Sequence, residues 1–236
     1  MVKNDWPVAV LFDLEDTLVQ TLWADQQHVI KFRRKTRKKL LELGIPDSVL
    51  EGIERATIMR NKAIEYIEEN LSKTDAERVY RKMDKFLVRY ELKSAKKSKL
   101  FPETIPTLKK LRKLGIKMGL VTNTSMKALE TIFQLHDLKT YFGVIITREK
   151  VKKLKPDPEG ILLALKELGV KSFFMVGDLV HDVLAAKSAK GTSILVKRSL
   201  EETDCEADYI VQSLGEIPMI IQAEKRKPYD CCREGC

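Results

Sequence analysis

Apolar residues fall into two regimes along this chain. From Val8 to Phe12, and again after Pro102, they come in short unbroken runs; between about residues 19 and 99 they recur every three or four positions. A short run that is apolar at every position suits a strand buried on both faces of a parallel sheet, so Val8–Phe12 is expected as the first strand. After Pro102 the pattern predicts a helix over Ile105–Leu114 and, past Gly115, a strand over Ile116–Val121. A helix over Met126–Leu135 and a strand over Gly143–Ile146 follow. Next come a helix over Asp157–Leu168, a strand over Phe173–Val176, a helix over Val180–Lys190 and strands over Ser193–Val196 and Tyr209–Val211. Strands alternating with helices imply right-handed crossovers and a parallel sheet covered on both faces.

The middle of the chain is different. Leu22–Leu43, Asp47–Asn70 and Asp75–Ser94 carry apolar residues at helical spacing among many Lys, Glu and Arg. Gly44 and Pro46 separate the first two helices, and Thr74 with Glu77 reads as a capping box opening the third. Nothing here reads as strand. The fold expected is α/β: a Rossmann-like parallel-sheet core made of residues 1–18 and 100–236. An all-helical domain, residues 19–99, is inserted after the first strand, so that two connections form a hinge.

The 236 residues are 44% hydrophobic, enough for one large domain or two small ones with real cores, and too apolar for a disordered chain. No apolar stretch is long enough for a membrane span, and no secretory signal opens the chain; the expected location is the cytoplasm. The net charge is +9, and residues 19–99 hold 20 basic against 12 acidic residues, nearly all of that excess. Such a field draws anions: phosphorylated metabolites, nucleic acid or acidic surfaces. The cysteines are Cys205, Cys231, Cys232 and Cys236. Their Cys-Cys-x-x-x-Cys spacing matches no common zinc pattern. The last three read as a polar tail after Lys225-Arg226-Lys227-Pro228, with a tail metal site or disulfide as the alternative, and none as catalytic.

Candidate chemistry collects at predicted strand ends, where open α/β sheets place their ligands. Asp13 and Glu15 follow the first strand. Thr122 and Asn123 end the second, a hydroxyl and an amide able to donate to phosphate oxygens. Lys155 lies in Lys152-Lys153-Leu154-Lys155-Pro156-Asp157, and the following Pro restricts how the backbone presents the ammonium. Asp178 and Asp182 follow the fourth strand in Gly177-Asp178-Leu179-Val180-His181-Asp182; oxygen donors from separate strands suit Mg²⁺. His181 reads as a helix-start residue facing solvent or the rim of a site. Taken singly, each of these is also an ordinary helix cap or loop residue.

Together and in this order they resemble the haloacid dehalogenase-like hydrolase superfamily. Its signature is Asp-x-Asp-x-Thr, then Thr or Ser, then Lys, then Gly-Asp-x-x-x-Asp, met here by Asp13, Glu15 and Thr17, then Thr122, Lys155, Asp178 and Asp182. The resemblance covers the whole core and extends to a helical cap inserted after the first motif. It implies a Mg²⁺-dependent phosphatase acting on a small phosphorylated metabolite. Asp13 is then nucleophile and metal ligand, and Glu15 acid and, through its backbone carbonyl, a metal contact. Thr122 and Asn123 hold the phosphoryl group, Lys155 steadies nucleophile and phosphate, Asp178 binds metal directly, and Asp182 binds it through water. Two residues depart from the pattern: Glu15 stands where the family usually has Asp, and Asp16 where it often has Gly. Arg33, Arg34, Arg37, Arg60 and Lys62 are candidates for steering substrate. The alternatives are a phosphomutase or a 2-haloacid dehalogenase on the same fold, or a nucleic-acid-binding protein with a degenerate core. The last is disfavoured because the cap aromatics, Trp23, Phe32, Tyr66, Tyr80, Phe86 and Tyr90, mostly fit helical core positions. No membrane partner is expected, and the sequence sets no oligomeric state.

Overall fold

Val8–Phe12 (β1) is buried at every position and lies in the middle of a sheet. The computed structural model describes residues 8–198 and 205–226. After β1 come β2 (Val19–Gln20), α1 (Gln26–Glu42), α2 (Asp47–Leu50), α3 (Ala56–Asn70), α4 (Lys73–Ala95) and β3 (Lys99–Leu100). The remainder alternates: α5 (Thr104–Lys113), β4 (Lys117–Val121), α6 (Met126–Leu135), β5 (Val144–Ile146), α7 (Glu159–Leu168), β6 (Ser172–Gly177), α8 (Val180–Ser188), β7 (Thr192–Val196), β8 (Tyr209–Val211) and α9 (Ile217–Arg226). The large sheet has the order β5-β4-β1-β6-β7-β8, and every neighbouring pair is parallel. This is the expected α/β, Rossmann-like architecture with helices inserted after the first strand.

Alternation of side chains along the strands divides the core in two. Val10 and Phe12 face a cluster that includes Leu108, Leu111, Leu129, Ile132 and Ile217, from α5, α6 and α9. Ala9 and Leu11 face the opposite side, against Ile161, Ala164, Ala185 and Ala186 of α7 and α8. A third cluster, built on Leu40, Leu50, Met59, Ile67, Val79 and Met83, lies among α1–α4. From β1 the chain proceeds through α1–α4 to β4 and β5, then returns to β6 on the other side of β1. That reversal makes the carboxyl ends of β4, β1 and β6 the switch point at which such sheets leave a crevice.

The structure departs from the expected elements in four places. Val19–Gln20 pairs antiparallel with Lys99–Leu100, so a two-residue ribbon ties the ends of the segment expected to contain no strand. Asp47–Asn70 is broken between α2 and α3, where Gly52 takes a φ of 68°. The cap of α4 is Ser72, whose hydroxyl accepts from the Asp75 amide, rather than Thr74. Helix α9 was not anticipated, although Ile217, Ile220 and Ile221 carry the spacing; Ile217, Pro218 and Ile221 are buried. Cys231, Cys232 and Cys236 lie outside the described residues. No described helix is long and apolar enough to cross a membrane.

The tip of the Phe173 ring abuts Gly191, where an added Cβ would lie 2.0 Å from its Cζ. Gly191→Ala is expected to destabilise the fold by about 1–3 kcal/mol through overpacking, read as a lower denaturation midpoint with unchanged slope.

Candidate active site

Register sets the geometry. Phe12 lies opposite Leu120 of β4 and Val176 of β6, so Asp13 is level with Val121 and Gly177, and Thr122 and Asp178 follow one residue on at the same edge of the sheet. The Asp13 amide still donates to the Val176 carbonyl, at 2.8 Å, which fixes the backbone at the point where its carboxylate emerges. The chain then turns sharply. Asp16 takes a φ of 58°, a left-handed conformation that Gly adopts freely and Asp tolerates. Its carboxylate accepts from the Thr21 amide at 2.7 Å and the Thr21 hydroxyl at 3.2 Å. The departure at position 16 thus keeps a backbone that suits Gly and adds a side-chain tie to the start of the inserted helices.

Lys155, 4% exposed, lies at the centre of the charge cluster. Its Nζ donates to Asp13 Oδ1 and to Asp182 Oδ1, each at 2.6 Å. Burial opposes the lysine's charge, but the two carboxylates outweigh it and hold the ammonium above its ordinary pKa. Burial also raises the Asp13 carboxyl, to about 6, against the pull of Lys155. Asp178, which accepts from the Thr17 hydroxyl at 3.0 Å, is raised well above the usual range by burial and by the charges of Asp13 and Asp182. Asp182 also accepts from the Leu179 amide at the start of α8. An added Cβ at Gly177 would lie 2.1 Å from the Asp182 carboxyl carbon, so only glycine lets β6 pass beneath it.

Asp13, Asp178 and Asp182 each offer an oxygen within 4.8 Å of the others. Three carboxylates therefore share one ammonium. The unbalanced negative charge and the all-oxygen donor set fit a hard divalent cation such as Mg²⁺.

Glu15 points into the same cavity. Its carboxylate accepts from Trp23 Nε1 at 2.9 Å and from the Thr124 hydroxyl. Burial pushes this carboxyl up to about 8, and the charges of Glu91 and Asp13 add to the rise. The longer Glu side chain thus spans from the loop after β1 to the turn that begins the inserted helices, where the Trp23 ring packs against His28 and Phe32.

Thr122 is buried, and its hydroxyl accepts from the Thr124 amide at 3.2 Å. Asn123 lines the cavity, and its side chain also holds the lysine's own backbone: its Oδ1 accepts from the Lys155 amide at 3.0 Å and its Nδ2 donates to the Lys155 carbonyl at 3.2 Å. A second amide repeats the device one residue earlier. Asn61 of α3 accepts from the Leu154 amide at 2.9 Å and donates to its carbonyl at 2.8 Å. The loop carrying Lys155 is thus gripped from the sheet side by Asn123 and from the inserted helices by Asn61. Nearby, Arg148 (2% exposed) pairs with Asp84 at 2.9 Å and Glu91 at 3.3 Å, both on α4.

All seven predicted residues, Asp13, Glu15, Thr122, Asn123, Lys155, Asp178 and Asp182, line one cavity of about 620 Å³ between the sheet and the inserted helices. His181 lines it too; at 6% exposed it does not face solvent, and its ring meets Arg55 and Thr57. Burial and the Arg55 charge lower it to about 4. Of the five candidate steering cations, Arg33 and Arg60 line the cavity. Arg37 is tied to Asp47 and the Leu50 carbonyl, Lys62 to Glu65, and Arg34 is exposed elsewhere. Sequence reasoning missed Trp23, Arg55, Asn61 and Thr124. Thr124 adjoins the flagged Thr122-Asn123 pair; Asn61, one of two Asn in α3, carries no signal of its own.

The family described as haloacid dehalogenase-like hydrolase matches residues 8–190. A phosphoglycolate phosphatase of Salmonella typhi is 32% identical over 144 residues, 60% of this chain and 56% of that protein, so the match spans little more than half of that relative. A pyrophosphatase PpaX of Oceanobacillus iheyensis is 26% identical over 90% of this chain and 95% of its own. Among solved structures, a HAD phosphatase from Thermococcus onnurineus superposes with a TM-score of 0.57 at 27% identity, covering 91% of this chain and 97% of that one.

Asn61→Ala leaves the Leu154 amide and carbonyl without their partner. Amide exchange at Leu154 and Lys155 is expected to speed up by about tenfold, while exchange in β1 and β6 stays as in the parent. Hydrogen–deuterium exchange resolved by residue measures it.

Proposed function

We propose that this chain, which belongs to the haloacid dehalogenase-like hydrolase family, is a Mg²⁺-dependent phosphatase that hydrolyses a small phosphorylated metabolite through an aspartyl-phosphate. The observation that carries the reading is the buried Lys155 ammonium bridging Asp13 and Asp182 beside Asp178, at the bottom of a cavity roofed by helices. The names of the relatives, a phosphoglycolate phosphatase and a pyrophosphatase, support the same class of reaction.

Residues 1–18 and 100–236 form the catalytic core in this reading, and 19–99 the cap. Asp13 attacks phosphorus; its Oδ–P bond forms as the bond from phosphorus to the leaving oxygen breaks. Glu15 gives its proton to that oxygen, then takes one from the water that cleaves the aspartyl-phosphate. The Thr122 hydroxyl and the backbone amide of Asn123 hold phosphoryl oxygens, and Lys155 offsets repulsion between Asp13 and the incoming phosphate. Asp13, Asp178 and the Glu15 carbonyl would hold Mg²⁺, with Asp182 acting through water. The ion supplies charge neutralisation and orientation of the phosphoryl oxygens. A dehalogenase has no use for three carboxylates facing an anionic substrate. A nucleic-acid reading lacks stacking surfaces, since Trp23, Phe32, Phe86 and Tyr90 pack on one another.

The test is hydrolysis of p-nitrophenyl phosphate and a panel of phosphorylated metabolites. EDTA is expected to abolish turnover and Mg²⁺ to restore it. Asp13→Asn is expected to lower kcat by about 10³-fold or more; equal turnover by this variant and the parent would remove Asp13 from the mechanism.

Glu15→Gln tests the acid. Hydrolysis of alkyl phosphates, whose leaving oxygen needs a proton, is expected to fall by roughly 10²–10⁴-fold. The kcat/KM for p-nitrophenyl phosphate, which reports only formation of the aspartyl-phosphate, should fall far less, because nitrophenolate leaves without a proton. The ratio of the two losses in steady-state kinetics is the measurement.

A further inference from the structure

We infer that the substrate's leaving group carries a second anionic group, a carboxylate or phosphate, on a carbon frame poor in hydroxyls, and that Arg33 and Arg55 receive it. The inference rests on the phosphatase reading and names the substrate class for the same cavity.

The cationic side chains that line the cavity besides Lys155 can be sorted by their partners. Arg60 donates to the Lys152 carbonyl at 3.0 Å and contacts Asn61. Arg148 is neutralised by Asp84 and Glu91. Arg33 and Arg55 also line the cavity, both half-buried, and neither has a carboxylate partner among the described residues. The contact of Arg55 is a ring nitrogen of His181 at 3.3 Å, and an imidazole brings no full negative charge. Two guanidinium groups in a partly enclosed cleft, neither ion-paired with a carboxylate of the described residues, can bind carboxylate or phosphate in a fork. The phosphoryl end of the substrate is already served by Lys155 and Thr122 of the core, so the arginines of the inserted segment are left for the other end.

The rest of that wall says what joins the two ends. Val29, Ile30, Phe32 and Leu87 make it largely apolar. Its neutral polar side chains, Gln26 and Thr57, both have partners already, Thr57 with His181 at 3.4 Å. A polyhydroxylated sugar would bury hydroxyls against carbon there, which is costly without hydrogen bonds. A short carbon chain ending in an anion meets both surfaces.

The experiment compares, with Mg²⁺, a series of ω-carboxyalkyl phosphates with alkyl phosphates of the same chain length and with glucose 6-phosphate. The parent enzyme is expected to prefer the best carboxylated ester by at least about tenfold in kcat/KM over both controls. Arg33→Met and Arg55→Met should each lower that ratio, and the double variant should bring it close to one, chiefly through KM for the carboxylated ester. Arg33→Lys and Arg55→Lys, which keep the charge, should retain most of the preference, so a variant that fails to fold does not decide the matter. A ratio near one in the parent, or an undiminished ratio in a folded double variant, would overturn the inference while leaving the phosphatase reading intact. Turnover of none of the esters, p-nitrophenyl phosphate included, would overturn both.

Discussion

A buried lysine ammonium held between two aspartates is the contact on which this structure turns. A lone ammonium at that depth would lose its proton, and a lone carboxylate would gain one. Lys155 and Asp13 keep each other charged, with Asp182 as the second anchor. The balance is incomplete, because Asp178 adds a third carboxylate that, among the described residues, forms no ion pair. A centre left short of positive charge in this way is ready to accept a divalent ion, and with it a phosphoryl group.

Much of the remaining architecture keeps that contact in place. β1 and β6 are adjacent and parallel, which aims Asp13 and Asp178 from one edge. Gly177 lets the Asp182 carboxyl lie directly against the strand. The lysine's loop has no sheet to hold it, so two asparagine side chains do, each closing a pair of hydrogen bonds on the backbone N–H and C=O of one residue. One of the two belongs to the inserted helices. Glu15 likewise reaches Trp23 at the start of that insertion. Both the acid and the ammonium are therefore tied to the position of the roof above them. The roof's own contacts, such as the buried Arg148 with Asp84 and Glu91, depend on charge and fix one docking geometry rather than sliding freely.

The element pattern was legible because strand and helix periods differ, and most expected elements in the sheet region fall within a residue or two of those observed. Errors occurred where local signals compete. Ser72 and Thr74 are both good caps, and which one is used depends on how α4 packs. The ribbon of β2 and β3 is too short to show a period at all. Helix α9 carries a readable spacing, yet its register depends on the sheet face it covers.

The sequence alone determined the order of strands and helices and the inserted helical segment, which follow from periodicity, and it singled out seven candidate site residues through their resemblance to a known family's motifs. Only the tertiary structure decided what those residues touch. It gave the Asn123 side chain a hold on the Lys155 backbone, decided between solvent and site rim for His181 in favour of the cavity wall, and separated Arg33 from Arg37 and Lys62. It also brought in Trp23 from the turn that opens the insertion, and Arg55 and Asn61 from the start of α3. Those outcomes depend on which helix faces the sheet and at what angle, and such long-range packing leaves no period in the chain.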